Sequence, residues 1–219
     1  TLPAVTEEKL TPDGARFLSL ARSIERGEGY VSPEAWPAWL MPDSLPAPET
    51  FKEPGYPYSI ALLDMVTGDP FRSGQLVSLL AGLAIPFIVF ALMRRLEPDR
   101  PGAAVLAGVF AAASPLLILQ SVYVMADSLF VLMLSMAFLS AMWGREGGTD
   151  RRRMICALLC GAFAGLAFLV RAQAVMAAPA LVWLLIAWSG PTAWYKRTGA
   201  ALLGAVIVCL PFFIRNLIV

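Results

Sequence analysis

Four ionisable side chains stand at the edges of long apolar runs and could act together: Asp13, Asp127, Arg171 and Arg215. Asp127 lies in Tyr123-Val-Met-Ala-Asp-Ser128, where it either caps a helix or is kept for use. An unpaired carboxylate among Val124, Met125, Leu129 and Phe130 is otherwise costly. Asp13, in Pro12-Asp-Gly-Ala-Arg-Phe17, reads equally well as an exposed helix cap or as an active group. Arg171 is the only charge between two apolar arms. It is either an arginine snorkelling to the headgroups or a cation for an anionic lipid head, which its planar fork suits. Arg215, in Pro211-Phe-Phe-Ile-Arg-Asn216, has the same two readings. In combination, the arginines could hold a departing phosphate while a carboxylate takes the proton of an attacking hydroxyl or amine.

The elements that must position these residues are membrane helices. The chain is 58% hydrophobic, with a mean hydropathy of +0.68 and only 15% charged residues. A bilayer crossing takes about 20 mostly apolar residues. The candidate crossings are 74–93, 103–123, 127–143, 154–170, 174–188 and 199–217. Helices are required because every backbone amide in lipid needs an internal partner, and the alternation of a transmembrane barrel is missing. The predicted fold class is therefore all-α, a polytopic membrane bundle over 74–219 preceded by a polar segment over 1–73. Pro86, Pro115, Pro179 and Pro211 read as kinks, and Gly161 with Gly165 as a small-residue packing pair.

Orientation follows from the short charged islands. Arg94, Arg95 and Arg100; Arg145, Arg151, Arg152 and Arg153; and Lys196 and Arg197 follow the first, third and fifth crossings, against Arg171 alone in the opposite turns. The positive-inside rule makes those islands cytoplasmic. Residues 1–73, the 123–128 turn, Arg171 and Arg215 then share the outer side. The outer segment is acidic, with six Lys/Arg (Lys9 among them) against eleven Asp/Glu. Within it, Asp13–Arg26 reads as an amphipathic helix presenting Phe17, Leu20, Ala21 and Ile24, started at Thr11-Pro12-Asp13. Residues 31–57, rich in proline and carrying Trp36 and Trp39, suit an ordered interfacial loop, and Tyr58–Val66 a surface-lying or re-entrant helix.

Other chemistries drop out. There is no histidine, which removes Ser-His-Asp triads and the usual zinc hydrolase motifs. A net charge of +1 gives no electrostatic support for nucleic-acid binding. Cys156 and Cys160 share a helical face but, with Cys209, read as packing residues in lipid. Starting in a polar segment without a Met and ending in an apolar run, the chain reads as part of a longer polytopic protein.

The run Asp13-Gly-Ala-Arg-Phe-Leu-Ser-Leu-Ala-Arg-Ser-Ile-Glu-Arg-Gly27 resembles the first outer loop of membrane glycosyltransferases of the GT-C fold. More narrowly, it resembles the dolichyl-phosphate-mannose protein mannosyltransferase and ArnT-like group. Lys52-Glu-Pro-Gly-Tyr-Pro57, Gly68-Asp-Pro-Phe-Arg72, Ser114-Pro115 before Asp127, Gly165-Leu-Ala-Phe-Leu-Val-Arg171 and Pro211-Phe-Phe-Ile-Arg-Asn216 follow in the same order. The resemblance implies transfer of a hexose or pentose from a polyprenyl-phosphate donor to a lipid, glycan or protein acceptor, commonly with inversion. It implies Asp13 as base, Asp127 as the second acidic residue shaping the site, and Arg171 near the donor phosphate; Arg215 joins Arg171 as a phosphate-binding candidate on its position alone. Glu53 and Tyr56 become candidates for a substrate loop. The lipid-linked sugar is the donor substrate; no cofactor is assigned, a divalent cation is left open and no metal ligand is named. The location implied is a bacterial inner membrane, with the site on its periplasmic or extracellular side. The chain departs from the mannosyltransferase pattern in having Gly14, not a second acidic residue, after Asp13.

Two rival functions remain on the sequence alone. A transporter or flippase would place ionisable groups and broken helices near the midplane, whereas these charges gather at helix ends. A non-catalytic scaffold would tolerate Asp13→Asn and Asp127→Asn.

Overall fold

The computed structural model describes residues 10–33, 45–144, 149–187 and 193–218. Helix α1 (Pro12–Glu25) begins where Thr11 accepts the Gly14 N–H at 3.0 Å and Pro12 fills the first turn, where its missing N–H costs nothing. Its apolar face buries Phe17, Leu18, Leu20 and Ala21. A two-residue antiparallel ladder, β1 (Val31–Ser32) against β2 (Ala47–Pro48), closes the loop that follows. Trp36 and Trp39, expected at the interface, lie outside the described residues, as do Lys9 and Arg145.

Helix α2 (Gly55–Thr67) is apolar on both faces: Tyr56, Ile60 and Ala61 are buried, while Leu62, Met65 and Val66 are exposed, as suits a helix lying at the membrane interface. It ends at Gly68, whose φ of +66° suits a residue without a Cβ. Asp69 then caps α3 (Pro70–Leu96) by accepting from the Phe71 and Arg72 N–H groups. At 27 residues, α3 is about 40 Å long, enough to cross a bilayer.

The second expected crossing is broken. Helices α4 (Pro101–Ala112) and α5 (Pro115–Val122) meet at an angle of 50°. Pro115 has no N–H to continue α4, and its ring disfavours helical geometry at Ser114. The seventeen residues of α6 (Asp127–Trp143) and the 21 of α7 (Asp150–Val170) follow. The fifth expected crossing starts as a 3-10 helix (Ala172–Ala177) before α8 (Ala178–Ala187), and α9 (Trp194–Ile218) is the last described element. Among the described residues α3, α7 and α9 are each long and apolar enough to cross a membrane, and the bent α4–α5 pair makes a fourth.

Glycine brings α7 and α9 together. A Cβ at Gly161 would overlap the Ala201 carbonyl, and one at Gly204 the Leu158 carbonyl; at Gly165 it would stand 3.1 Å from the Ala205 oxygen. Such close backbone approach is what small residues permit in lipid. Around this seam, Ala137, Ala157, Cys160, Leu181 and Leu185 form one core. A second core joins Phe17, Tyr56, Ile60, Val124, Ala126 and Val170, tying α1 and α2 to the end of the bundle. The outer faces stay apolar, with Leu83, Phe87, Phe110 and Leu202 exposed as they would be to lipid.

Candidate active site

Helix polarity puts the start of α6 and the ends of α7 and α9 at one end of the bundle, and Arg94, Arg95, Arg151–Arg153 and Arg197 at the other. At the first end, Arg171 Nη2 donates to Asp127 Oδ2 at 2.8 Å. The pair is partly shielded, Asp127 being 16% and Arg171 30% exposed at the side chain. Asp127 is the first residue of α6 and not its cap: that place belongs to Ala126, which makes no side-chain cap bond. The carboxylate is thereby free to face across to α7.

Asp13 likewise leaves capping to Thr11. Its Oδ1 accepts from Lys52 Nζ at 2.8 Å, and its carboxylate remains 54% exposed. The next residue along, Glu53, accepts the Ala172 N–H at 2.8 Å and so grips the residue after Arg171. Gly55 packs against the end of α7, where a Cβ would stand 2.8 Å from the Leu169 oxygen. On the other side, Gly14 abuts the turn before α6, a Cβ there meeting the Val124 oxygen at 2.9 Å. These contacts close a ring: Asp13 to Lys52, Glu53 to Ala172, Arg171 to Asp127, and Val124 back to Gly14. Gly14 is thus explained by packing, because a longer side chain at that position would be forced against the Val124 backbone.

Two expected site residues are engaged elsewhere. Arg215 reaches the same loop but gives its guanidinium to backbone: Nη1 donates to the Glu49 carbonyl at 2.6 Å and Nη2 to the Tyr30 carbonyl at 2.5 Å. Tyr56 is fully buried, donating to the Gly74 carbonyl at 2.9 Å and lying 2.7 Å from Ser78 Oγ. Burial above all pushes its hydroxyl well above the ordinary tyrosine range, so it serves as a neutral hydrogen-bonding group.

Sequence reasoning missed Lys52, Arg16 and Glu49. Arg16 Nη2 and Glu49 Oε2 form a buried pair at 2.5 Å across 33 residues of chain. A charged residue at the fifth position of an amphipathic helix gives no hint of a partner in a distant loop. Arg16 does lie on the apolar face of α1, one residue before Phe17, and that was the available signal.

Beside the ring lies an apolar groove of about 500 Å³ between α7, α8 and α9. Phe168 and Ala174, each three residues from Arg171, line it, and so do Ala164, Leu181, Val206 and Leu210. Among the described residues no three His, Cys, Asp or Glu side chains gather as metal ligands. The two ring aspartates are each paired with a cation of the chain itself.

The model of the family described as dolichyl-phosphate-mannose-protein mannosyltransferase matches residues 48–218. The chain belongs to that family. Its bundle accordingly is an all-α membrane fold of the GT-C glycosyltransferase type, as the outer-loop resemblance implied. This family member is similar to two curated proteins called undecaprenyl phosphate-alpha-4-amino-4-deoxy-L-arabinose arabinosyl transferase. They come from Pseudomonas aeruginosa (strain UCBPP-PA14) and Pseudomonas paraeruginosa (strain DSM 24068 / PA7). Each is 26% identical over 207 residues, covering 92% of this chain and 35% of the relative. The chain thus spans about a third of the length of these relatives. No solved structure gives a significant match.

Proposed function

We propose that this chain forms part of a membrane glycosyltransferase that moves a hexose or pentose from a polyprenyl-phosphate donor to an acceptor outside the cytoplasm. The observation that carries this reading is the ring, in which a solvent-facing aspartate and a shielded Asp127–Arg171 pair are joined through Lys52 and Glu53. The apolar groove beginning beside Arg171 is a fitting bed for an isoprenoid tail, its volume lying within the range usual for ligand sites. A lipid phosphate at Arg171 would then sit at the membrane surface with its sugar toward Asp13.

In this scheme the acceptor's oxygen or nitrogen attacks the anomeric carbon while its proton passes to Asp13. The bond between that carbon and the phosphate oxygen breaks, and its electron pair leaves on the phosphate. Arg171, oriented by Asp127, meets the charge that develops there, and Lys52 supplies a second cation near the base. Arg215 is assigned to the loop, since its guanidinium already donates to two carbonyls. The six apolar segments cross the membrane with the basic islands on the cytoplasmic side, as the positive-inside rule asks. In a bacterium this puts the ring at the periplasmic or extracellular face of the inner membrane.

The test is transfer in liposomes holding the full-length protein and radiolabelled polyprenyl-phosphate sugars. Asp13→Asn should abolish transfer by about 10²- to 10⁴-fold while the protein stays folded. Undiminished transfer by that variant removes Asp13 as the base.

A further inference from the structure

Lys52 is fastened at both ends of its own residue. Its N–H donates to Glu49 Oε1 at 3.0 Å, and its carbonyl accepts from the Tyr30 hydroxyl at 2.9 Å. We infer that Tyr30 and Glu49 are positioning residues, a clamp whose task is to hold the Lys52 ammonium against Asp13. The inference rests on the transferase reading for its purpose, but not for its geometry.

The clamp is itself anchored from three elements. Glu49 is buried, its second carboxylate oxygen taken by Arg16 of α1 and its first shared between the Phe51 and Lys52 N–H groups. The Glu49 N–H donates to the Tyr30 carbonyl, which ties the two clamp residues to each other. Arg215 of α9 then donates to the carbonyls of both. Tyr30 is wedged between Tyr58, stacked at 5.9 Å, and Phe212, edge-on at 6.4 Å. Burial, reinforced by the negative charges of Glu49 and Glu53, keeps its hydroxyl protonated and hence a donor.

A lysine side chain has several freely rotating bonds, so fixing its backbone sets the point from which the ammonium reaches and leaves fewer rotamers that bring it to Asp13. Lys52 also leans over the Phe17 ring at 5.2 Å, which leaves Asp13 as its charged neighbour in the loop. Without the clamp, the loop from Glu49 to Glu53 would keep its sequence but lose the single arrangement that serves both ion pairs.

The chain has three lysines, Lys9, Lys52 and Lys196, so amine acylation resolved by mass spectrometry reports on Lys52 directly. The full-length protein in lipid nanodiscs would be labelled with an amine-acylating reagent and the rate at Lys52 divided by that at Lys196. Tyr30→Phe keeps the ring and removes one hydroxyl; it should raise the ratio about threefold to tenfold with the Lys196 rate unchanged. Arg215→Gln, loosening the clamp from α9, should move the ratio the same way. Tyr58→Phe, which keeps the stack, should leave it alone. In parallel, Tyr30→Phe should lower kcat/KM for sugar transfer by a similar factor through kcat, and should add nothing further in a Lys52→Met background. A ratio unchanged by both Tyr30→Phe and Arg215→Gln overturns the clamp. A raised ratio in a protein whose wild type transfers no sugar supports the clamp and overturns the transferase reading instead.

Discussion

Removing Arg171 should separate what the Asp127–Arg171 pair does for the fold from what it does for the reaction. The 2.8 Å contact is neither a surface pair nor a dry one, since its partners are 16% and 30% exposed. Exposed pairs are worth about 0–1 kcal/mol, and breaking fully buried ones costs about 3–5 kcal/mol. Arg171→Met should therefore destabilise the folded protein by about 1–3 kcal/mol, because the largely shielded Asp127 carboxylate is left without its cation. Asp127→Asn should cost a comparable amount. In the double variant the stranded charge is gone, so stability should return to within about 1 kcal/mol of the wild type, giving a coupling energy typical of residues in contact. Transfer should not return with it. Loss of a cation aimed at a developing phosphate charge costs about 10²- to 10³-fold, whatever the state of its partner. Chemical denaturation in micelles and the liposome transfer assay would be run on all four proteins. A double variant that regains both stability and transfer would show Arg171 to be a structural counter-ion only, and the assignment of the phosphate to it would fall.

Gly161→Leu should uncouple α7 from α9, because its first side-chain carbon overlaps the Ala201 carbonyl; a loss of at least about 1–3 kcal/mol is expected by denaturation. Gly14→Glu, which installs the second acidic residue of the mannosyltransferase pattern, should destabilise by a similar mechanism against Val124, with a lowered melting temperature as readout. Glu25→Gln should stabilise the protein at neutral pH. Slight desolvation first, then repulsion from and a hydrogen bond with Asp64, hold the largely exposed Glu25 carboxyl above its ordinary 4.5. The folded state therefore binds that proton more tightly than the unfolded chain does. The resulting stability is complete below about pH 4.5 and is lost as pH rises through the folded-state value. Melting temperatures across that range should fall for the wild type and fall less for the glutamine variant.

Much of the frame was legible because lipid imposes simple rules on sequence. Long apolar runs between Arg94–Arg100, Arg151–Arg153 and Lys196–Arg197 make helices legible there, and α1 starts at Thr11-Pro12 as its residues suggest. The break between α4 and α5 is only half visible: Pro115 marks a kink, but not that the two halves meet at 50°. Asp127 and Arg171 were conspicuous because charge is expensive in their surroundings. Their pairing across 44 residues is a tertiary fact. Lys52 gave no such warning, since a lysine in a polar loop is unremarkable until Asp13 is found 2.8 Å away. Arg215 shows the opposite limit. Its position at a helix end is readable, but whether its fork meets phosphate or carbonyl oxygen depends on where the Tyr30 and Glu49 backbones run.

The glycine contacts between α7 and α9 set a ruler across the membrane. With Gly161 and Gly165 against Ala201 and Ala205, and Gly204 against Leu158, the two rods mesh like a toothed rack, and a slip by one residue would drive a methyl into a carbonyl. The depth of Arg171 relative to Arg215 is consequently decided some distance away, by residues that carry no charge at all. Substitutions along that seam should therefore disturb the chemistry at the surface without touching a single polar atom.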